Sequence, residues 1–274
     1  MKISVVTIAL NSADTIADTL RSVAVQDWPD FEHIVVDGAS RDATMSIVRR
    51  YDNPRLSAVS EPDGGLYDAM NKGLARATGD VVGFLNSDDF FCRPDALSLV
   101  AAGLARGTDC VSGRTVIVDR EKIVRVRRVY GTRLYAPWMI RFGHMPSHPS
   151  FYVRRNIINT LGGFDPSYRI AGDFELMVRL FLRERATMTV VPETLVAFRE
   201  GGLSTKDFKS RIVLNRELAR ALKTHGIASS PAMLWARYPF KAFQKLGSTK
   251  DYPKYLLAMG LPTATPGSAS SPAP

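Results

Sequence analysis

Cysteine is nearly missing from this chain of 274 residues: only Cys92 and Cys110 occur. Two thiols make neither a disulfide framework nor a four-ligand zinc site, so a packed core has to supply the stability, and a reducing cytosol is the expected compartment. Long apolar runs are scarce too. The run Ile3 to Leu10 stops at Asn11, Ser12 and Asp14 without a convincing cleavage site, so it reads as a first buried strand and not as a signal peptide. No stretch reaches the roughly 18 to 20 apolar residues that a membrane-spanning helix needs. No glycine-rich loop ends in Gly-Lys-Ser/Thr and no Gly-x-Gly-x-x-Gly follows a strand-like run, which weakens the ATPase and dinucleotide-binding readings. Internal repeats are lacking as well.

What is present is the balance of an ordinary globular protein, 45% hydrophobic and 23% charged, which argues against a disordered or fibrous chain. The length suits one large α/β domain with a C-terminal appendage. The net charge of +9 is concentrated: between Thr205 and Lys254 eleven lysines and arginines stand against Asp207, Glu217 and Asp251. Such asymmetry points to a membrane surface or another polyanion at the C-terminal end, and no nucleic-acid partner is expected; a solvated helix face is the alternative.

The first ninety residues alternate. Ile3 to Ile8, Glu32 to Asp37, Leu56 to Ser60 and Asp80 to Leu85 read as short buried strands, and Thr15 to Val25, Ala43 to Tyr51 and Tyr67 to Arg76 carry helical periodicity. This predicts an α/β fold, Rossmann-like, with a mainly parallel central sheet and helices on both faces. Ligands of such sheets bind beyond the carboxyl ends of the strands, which nominates Asn11, Asp37, Glu61 to Gly65 and Asn86 to Asp89 as one crevice. A helix near Asp95 to Ala105 precedes a hairpin, Cys110 to Val118 and Ile123 to Tyr130. Short helices at Arg154 to Leu161 and Asp173 to Arg183 follow an irregular aromatic stretch. A long amphipathic helix, Thr205 to Lys223, leads to Pro231 to Leu246, whose interleaved aromatic and basic residues suit an interfacial helix. Residues 262–274 are too small and polar to bury anything and read as a disordered tail.

Three segments carry chemistry. Asn86-Ser87-Asp88-Asp89 follows an apolar strand, and adjacent carboxylates there suit a hard cation such as Mg²⁺ or Mn²⁺ that also binds diphosphate oxygens; the same pair also occurs as a turn or helix cap. Val35-Val36-Asp37-Gly38-Ala39-Ser40 ends a strand in a carboxylate able to accept an imide N–H, with helix capping as the other reading. In Ser60 to Gly73 a turn enters a helix, a place that suits an anion, and Lys72 is placed to neutralise phosphate.

Together with Ser4 to Asn11, these segments resemble, in order and spacing, family 2 glycosyltransferases of the GT-A fold, the bacterial polysaccharide and lipid-linked glycan type. The resemblance covers about residues 1–204, taken as the catalytic domain, with 205–261 as a basic helical extension. It implies an inverting, metal-dependent transfer of sugar from a nucleotide diphosphate donor, UDP-linked by preference, to a glycan or lipid-linked acceptor at the inner face of the membrane. It places Thr7, Ala9 and Asn11 near the nucleoside, Asp37 on the base, Asp88 on the ribose, and Asp63, Lys72 and Ser87 along the donor. Asp89 falls on the Mn²⁺ or Mg²⁺, with His148, from His144 to Ser150, a second candidate ligand that also has acceptor, phosphate and purely structural readings. Gly162 to Leu176 resembles the acceptor-site motif, with Asp173 as catalytic base; Gly172 stands where a glutamate is commoner, which leaves Glu175 as the other candidate. Gly201-Gly202-Leu203-Ser204 suits a flexible lid.

Overall fold

The structure is a computed structural model that describes residues 1–120, 122–131, 135–201 and 208–236. Four βα steps open the chain: β1 (Ile3–Ala9), α1 (Ile16–Ala24), β2 (Phe31–Asp37), α2 (Thr44–Arg50), β3 (Leu56–Ser60), α3 (Leu66–Arg76), β4 (Val81–Phe84) and, after the two-residue β5 (Phe90–Phe91), α4 (Ala96–Leu104). The second half adds β6 (Cys110–Val118), β7 (Val126–Tyr130), β8 (Phe151–Arg154), α5 (Arg155–Thr160), α6 (Gly172–Val178) continued by a π-turn (Arg179–Arg183), β9 (Met188–Arg199), α7 (Phe208–Thr224) and α8 (Pro231–Trp235).

The strands form one mixed sheet in the order β3-β2-β1-β4-β8-β6-β9-β5, with β7 on the second half of β6. Strands β1, β2, β3, β4, β6 and β9 run one way and β5, β7 and β8 the other. Every residue of β1 is buried, as a central strand covered on both faces requires. Alternation sends Val6 and Ile8 toward α3, with Ile34, Val36, Tyr67 and Met70, while Ala9 packs with Ile16, Leu20, Val35 and Val48 beneath α1 and α2. One expectation is corrected here. The third strand, read as buried, is the sheet edge, and Ser57, Ala58 and Ser60 are exposed.

Only Leu85 to Asp89 separate β4 in the middle of the sheet from β5 at its far end, and that loop contains a turn in which Asp89 N–H donates to Asn86 O at 3.0 Å. A flat sheet would put four interstrand spacings, roughly 19 Å, between the two strands. The sheet therefore curls, which returns β9 and β5 to α1. Helix α7, expected in an extension, buries Leu218, Ala221 and Leu222 in the same core as α3 and α6. The lid residues Gly202, Leu203 and Ser204, the aromatic and basic stretch after Ala236 and the tail lie outside the described residues.

Candidate active site

The loops after β1, β2 and β4 are joined by side-chain hydrogen bonds into one rim. Asp37, fully buried, ends β2; its Oδ2 accepts from Ser40 N–H at 2.9 Å and Ser60 Oγ at 2.6 Å, and its Oδ1 from Ser40 Oγ. Ser40 Oγ accepts Asn11 N–H at 2.7 Å, and Asn11 Oδ1 accepts Arg41 N–H at 2.9 Å. Asn11 adopts a left-handed φ of 50°, which asparagine tolerates better than most residues. The next residue, Ser12, meets Ser87 hydroxyl to hydroxyl at 2.7 Å, and this ties the β1 loop to the Asp88-Asp89 loop. Gly38 has no room for a Cβ, because Asp63 Oδ2 occupies that space. The glycine thus admits Asp63, a half-buried carboxylate, to the side of Asp37.

Two of the expected nucleoside contacts do not offer their side chains. Thr7 is fully enclosed and its hydroxyl bonds His33 Nε2 at 2.9 Å, while the Ala9 methyl belongs to the core under α1. A strand buried on both faces has no open side from which those side chains could reach a ligand. Lys72, expected near phosphate, braces its own loop: Nζ donates to Pro62 O at 2.6 Å and pairs with Asp68 at 3.3 Å and Glu61 at 3.9 Å.

The Asp88-Asp89 loop encloses a cluster of charge. Asp89 is fully buried; Oδ1 accepts Arg199 N–H at 3.2 Å and Oδ2 has no partner among the described residues. Burial, with the Asp88 charge beside it, holds the Asp89 carboxyl well above the usual carboxylate range, and Arg199 pulls the other way. Burial also raises Asp88, which is more open and pairs with Arg120 at 3.8 Å. The Arg199 guanidinium is wedged against Asp18, the Asp88 carbonyl at 2.8 Å and the Phe90 ring at 4.8 Å. Asn86 Oδ1 in the same loop is likewise buried and without a partner among the described residues. Carboxylate and carboxamide oxygens are the donors that a hard divalent cation takes, so this loop fits Mn²⁺ or Mg²⁺. No three His, Cys, Asp or Glu side chains among the described residues converge as a metal site; diphosphate oxygens and water are further ligands that such a cation takes.

The second half of the site is built on α6 and α3. Asp173 Oδ1 accepts Phe174 N–H at 2.8 Å and stands 3.3 Å from Tyr67 Oη. The single tyrosine proton is better placed on Ile170 O, at 2.6 Å, so Asp173 keeps most of its accepting capacity. Burial raises its pKa, opposed by His148, while burial lowers His148. His148, expected among the candidate metal ligands, stacks on Phe84 at 6.3 Å and lies edge-on to Phe164, with Asp173 close enough for its charge to act on the ring.

Asp173 and Glu175 differ in their partners. Glu175 is buried in a forked ion pair with Arg179, at 2.8 and 2.6 Å, and bonds His225 at 2.7 Å. That carboxylate is spent on structure. The glycine before Asp173 also has a cause: a Cβ at Gly172 would lie 2.8 Å from Tyr67 Cδ2, so the tyrosine ring fills the space that a larger residue would need.

Sequence reasoning missed Arg199, Ser60, Tyr67 and Asn71. The carboxamide of Asn71 clasps the Phe164 backbone from both sides, at 2.8 Å each, one turn along α3 from Tyr67. The spacing of Tyr67 and Asn71 on one helix face was a signal available beforehand; an arginine closing an apolar strand was another.

The family model described as Glycosyl transferase family 2 matches residues 4–164. An uncharacterized glycosyltransferase of Mycobacterium tuberculosis (strain H37Rv) is 32% identical over 187 residues, 66% of this chain and 69% of its own. A PGL/p-HBAD biosynthesis glycosyltransferase of Mycobacterium bovis (strain BCG) is 29% identical over 225 residues, 78% and 85% of the two chains. Among solved structures, S. aureus TarS 1–349 in complex with UDP-GlcNAc aligns with a TM-score of 0.64 at 21% identity, over 95% of this chain and 80% of that one. The mannosyltransferase PcManGT from Pyrobaculum calidifontis, in complex with GDP-Man and Mn²⁺, aligns at 0.59 and 21%, over 94% and 72%.

Proposed function

Since the chain belongs to glycosyl transferase family 2, with the GT-A fold and a place in bacterial glycan synthesis, we propose that it moves a sugar from a UDP-linked donor to an acceptor hydroxyl with inversion. One observation carries this reading: side-chain hydrogen bonds join Asp37 through Ser40, Asn11, Ser12 and Ser87 to the Asp88-Asp89 loop, and Asp173, a half-buried carboxylate with accepting capacity to spare, stands beside Tyr67 and His148, the latter stacked on Phe84 of β4. Asp37 and Asp63 supply acceptors suited to the imide of uracil, and Asp88 is the open carboxylate for the ribose. Asp173 takes the proton of the acceptor hydroxyl as that oxygen attacks the anomeric carbon and the bond to the diphosphate breaks, with no covalent sugar-enzyme species. Asp89 would hold Mn²⁺ or Mg²⁺, which would neutralise charge on the departing diphosphate.

A thermal-shift panel of UDP-, GDP- and dTDP-sugars with and without Mn²⁺ tests the donor assignment. A ligand at 100 times its dissociation constant stabilises by about 2.7 kcal/mol. The largest shift is expected from a UDP-sugar with Mn²⁺; no shift from any nucleotide sugar would remove the proposal.

No helix among the described residues is long and apolar enough to cross a membrane. Trp138 and Trp235 are 60% and 63% exposed on adjoining elements, which Ser229 Oγ ties together through Arg141 O at 2.7 Å. Exposed tryptophans beside the basic C-terminal segment support peripheral attachment to an anionic inner leaflet that carries a lipid-linked acceptor. The full chain should sediment with phosphatidylglycerol vesicles at low salt, and failure to do so removes this part of the reading.

A further inference from the structure

Helix α7 reaches into the acceptor motif through one side chain. Glu217 accepts three consecutive backbone N–H groups from the loop that leads into α6: Arg169 at 2.8 Å on Oε1, and Ile170 at 2.9 Å and Ala171 at 2.8 Å on Oε2. The carbonyl of Ile170 is held from the opposite side by Tyr67 Oη, whose ring packs against Gly172. Two residues beyond this peptide stands Asp173. The loop is therefore gripped between α3 and α7, and its grip from α7 is electrostatic: one carboxylate satisfies three donors that would otherwise compete for water.

We propose that Glu217 is a positioning residue for the Asp173 base. A general base works only when its oxygen stays within hydrogen-bond reach of the proton it takes, and a displacement of about 1 Å can cost on the order of a hundredfold. Glu217 fixes the backbone from which Asp173 projects, while Tyr67 limits where the side chain goes. Arg220, one turn further along α7, lies 3.6 Å over the Tyr168 ring and donates to Ser167 Oγ at 2.8 Å, and so secures the start of the same loop. Leu218, Ala221 and Leu222 keep the helix docked without Glu217. Changing Glu217 to glutamine turns one of its two acceptor oxygens into a donor, so at least one of the three N–H groups faces another N–H.

The inference rests on Asp173 being the base, and the experiment separates the two ideas. UDP release from UDP-GlcNAc, or from the nucleotide sugar that the thermal panel selects, is measured with octyl glucoside as acceptor for wild type, E217Q, D173N and the double variant, alongside UDP affinity. E217Q should lower kcat about tenfold, equivalent to about 1.4 kcal/mol in the barrier, with donor KM and UDP affinity within about twofold. Added to D173N, E217Q should cause no further loss, because it acts through Asp173. Wild-type turnover in E217Q with a severely impaired D173N overturns the positioning role alone, as does a tenfold loss that persists in the D173N background. A loss that tracks lost UDP binding also overturns it, and near-normal turnover in D173N overturns the base assignment and this inference with it.

Discussion

Replacing Arg199 with methionine should destabilise the protein more than removal of a typical charged residue, and the structure shows why. The side chain is buried at the end of β9, where it meets the Asp18 carboxylate, the Asp88 carbonyl at 2.8 Å and the Phe90 ring at 4.8 Å. Breaking a buried ion pair by deleting one partner costs about 3 to 5 kcal/mol. Asp18 is 20% exposed and keeps Arg21 at 3.4 Å, so it regains some water and a partner, and the lower end, about 3 kcal/mol, applies. Methionine retains the volume of the stem, so the cavity term is limited to the space of the guanidinium end. At roughly 2 to 4 °C per kcal/mol for a chain of this size, the midpoint of thermal unfolding should fall by about 6 to 12 °C. R199K should recover only part of this, since an ammonium lacks the fork that serves Asp18 and the Asp88 carbonyl together. A drop in R199M of less than about 2 °C would refute the picture of a buried charge wedge beneath the Asp88-Asp89 loop.

Other consequences follow from the same geometry. His33 is buried against Thr7, and burial pushes its pKa from 6.5 down to about 3, below its value in the unfolded chain. As pH falls through 6.5 the unfolded state takes up the proton first, so this group removes about 1.4 kcal/mol of stability per pH unit until the folded value is reached. Urea midpoints between pH 7 and pH 4 should fall less steeply for His33→Gln than for wild type, and parallel slopes would contradict the assignment. Asp37→Ala frees Ser40 and Ser60 and opens the nucleoside rim, so calorimetric UDP affinity should drop at least about tenfold; a change within about twofold would remove Asp37 from donor binding. Chelation by EDTA should abolish transfer and Mn²⁺ restore it, whereas full activity in EDTA would end the metal reading of Asp89.

The N-terminal half of the fold was legible because its elements announce themselves locally. Strands β1, β2 and β4 are apolar runs that end in polar loops, and the helices between them carry a 3.6-residue period, so observed bounds lie within a residue or two of those expected. Strands β5, β8 and β9 were not read. β5 is two phenylalanines, β8 emerges from an irregular aromatic stretch, and β9 is interrupted by Pro192 and Glu193; each depends on a partner distant in sequence. Within the site, Asp37, Asp88 and Asp89 stood out as carboxylates at strand ends, whereas Asp173 came only through the resemblance of Gly162 to Leu176 to the family's acceptor motif. The orientation of Thr7 and Ala9 did not, because a strand buried on both sides has no polar face to reveal which way a side chain points. The partners of Arg199 and Glu217 were not legible for a related reason: each acts on a loop far away in the chain, 110 residues from Asp89 and 46 from Ala171.

The most direct test of the account compares Asp173→Asn with wild type for turnover, for UDP affinity and for pH dependence. Removal of a general base typically costs about 10² to 10⁴ in rate, and so kcat should fall by that much while UDP affinity stays within about twofold. Because burial raises the Asp173 pKa, wild-type activity should rise with pH through a midpoint above the ordinary aspartate value of 3.8. Turnover in the asparagine variant within a few-fold of wild type, over an unchanged pH profile, would contradict the central claim that this carboxylate takes the acceptor proton.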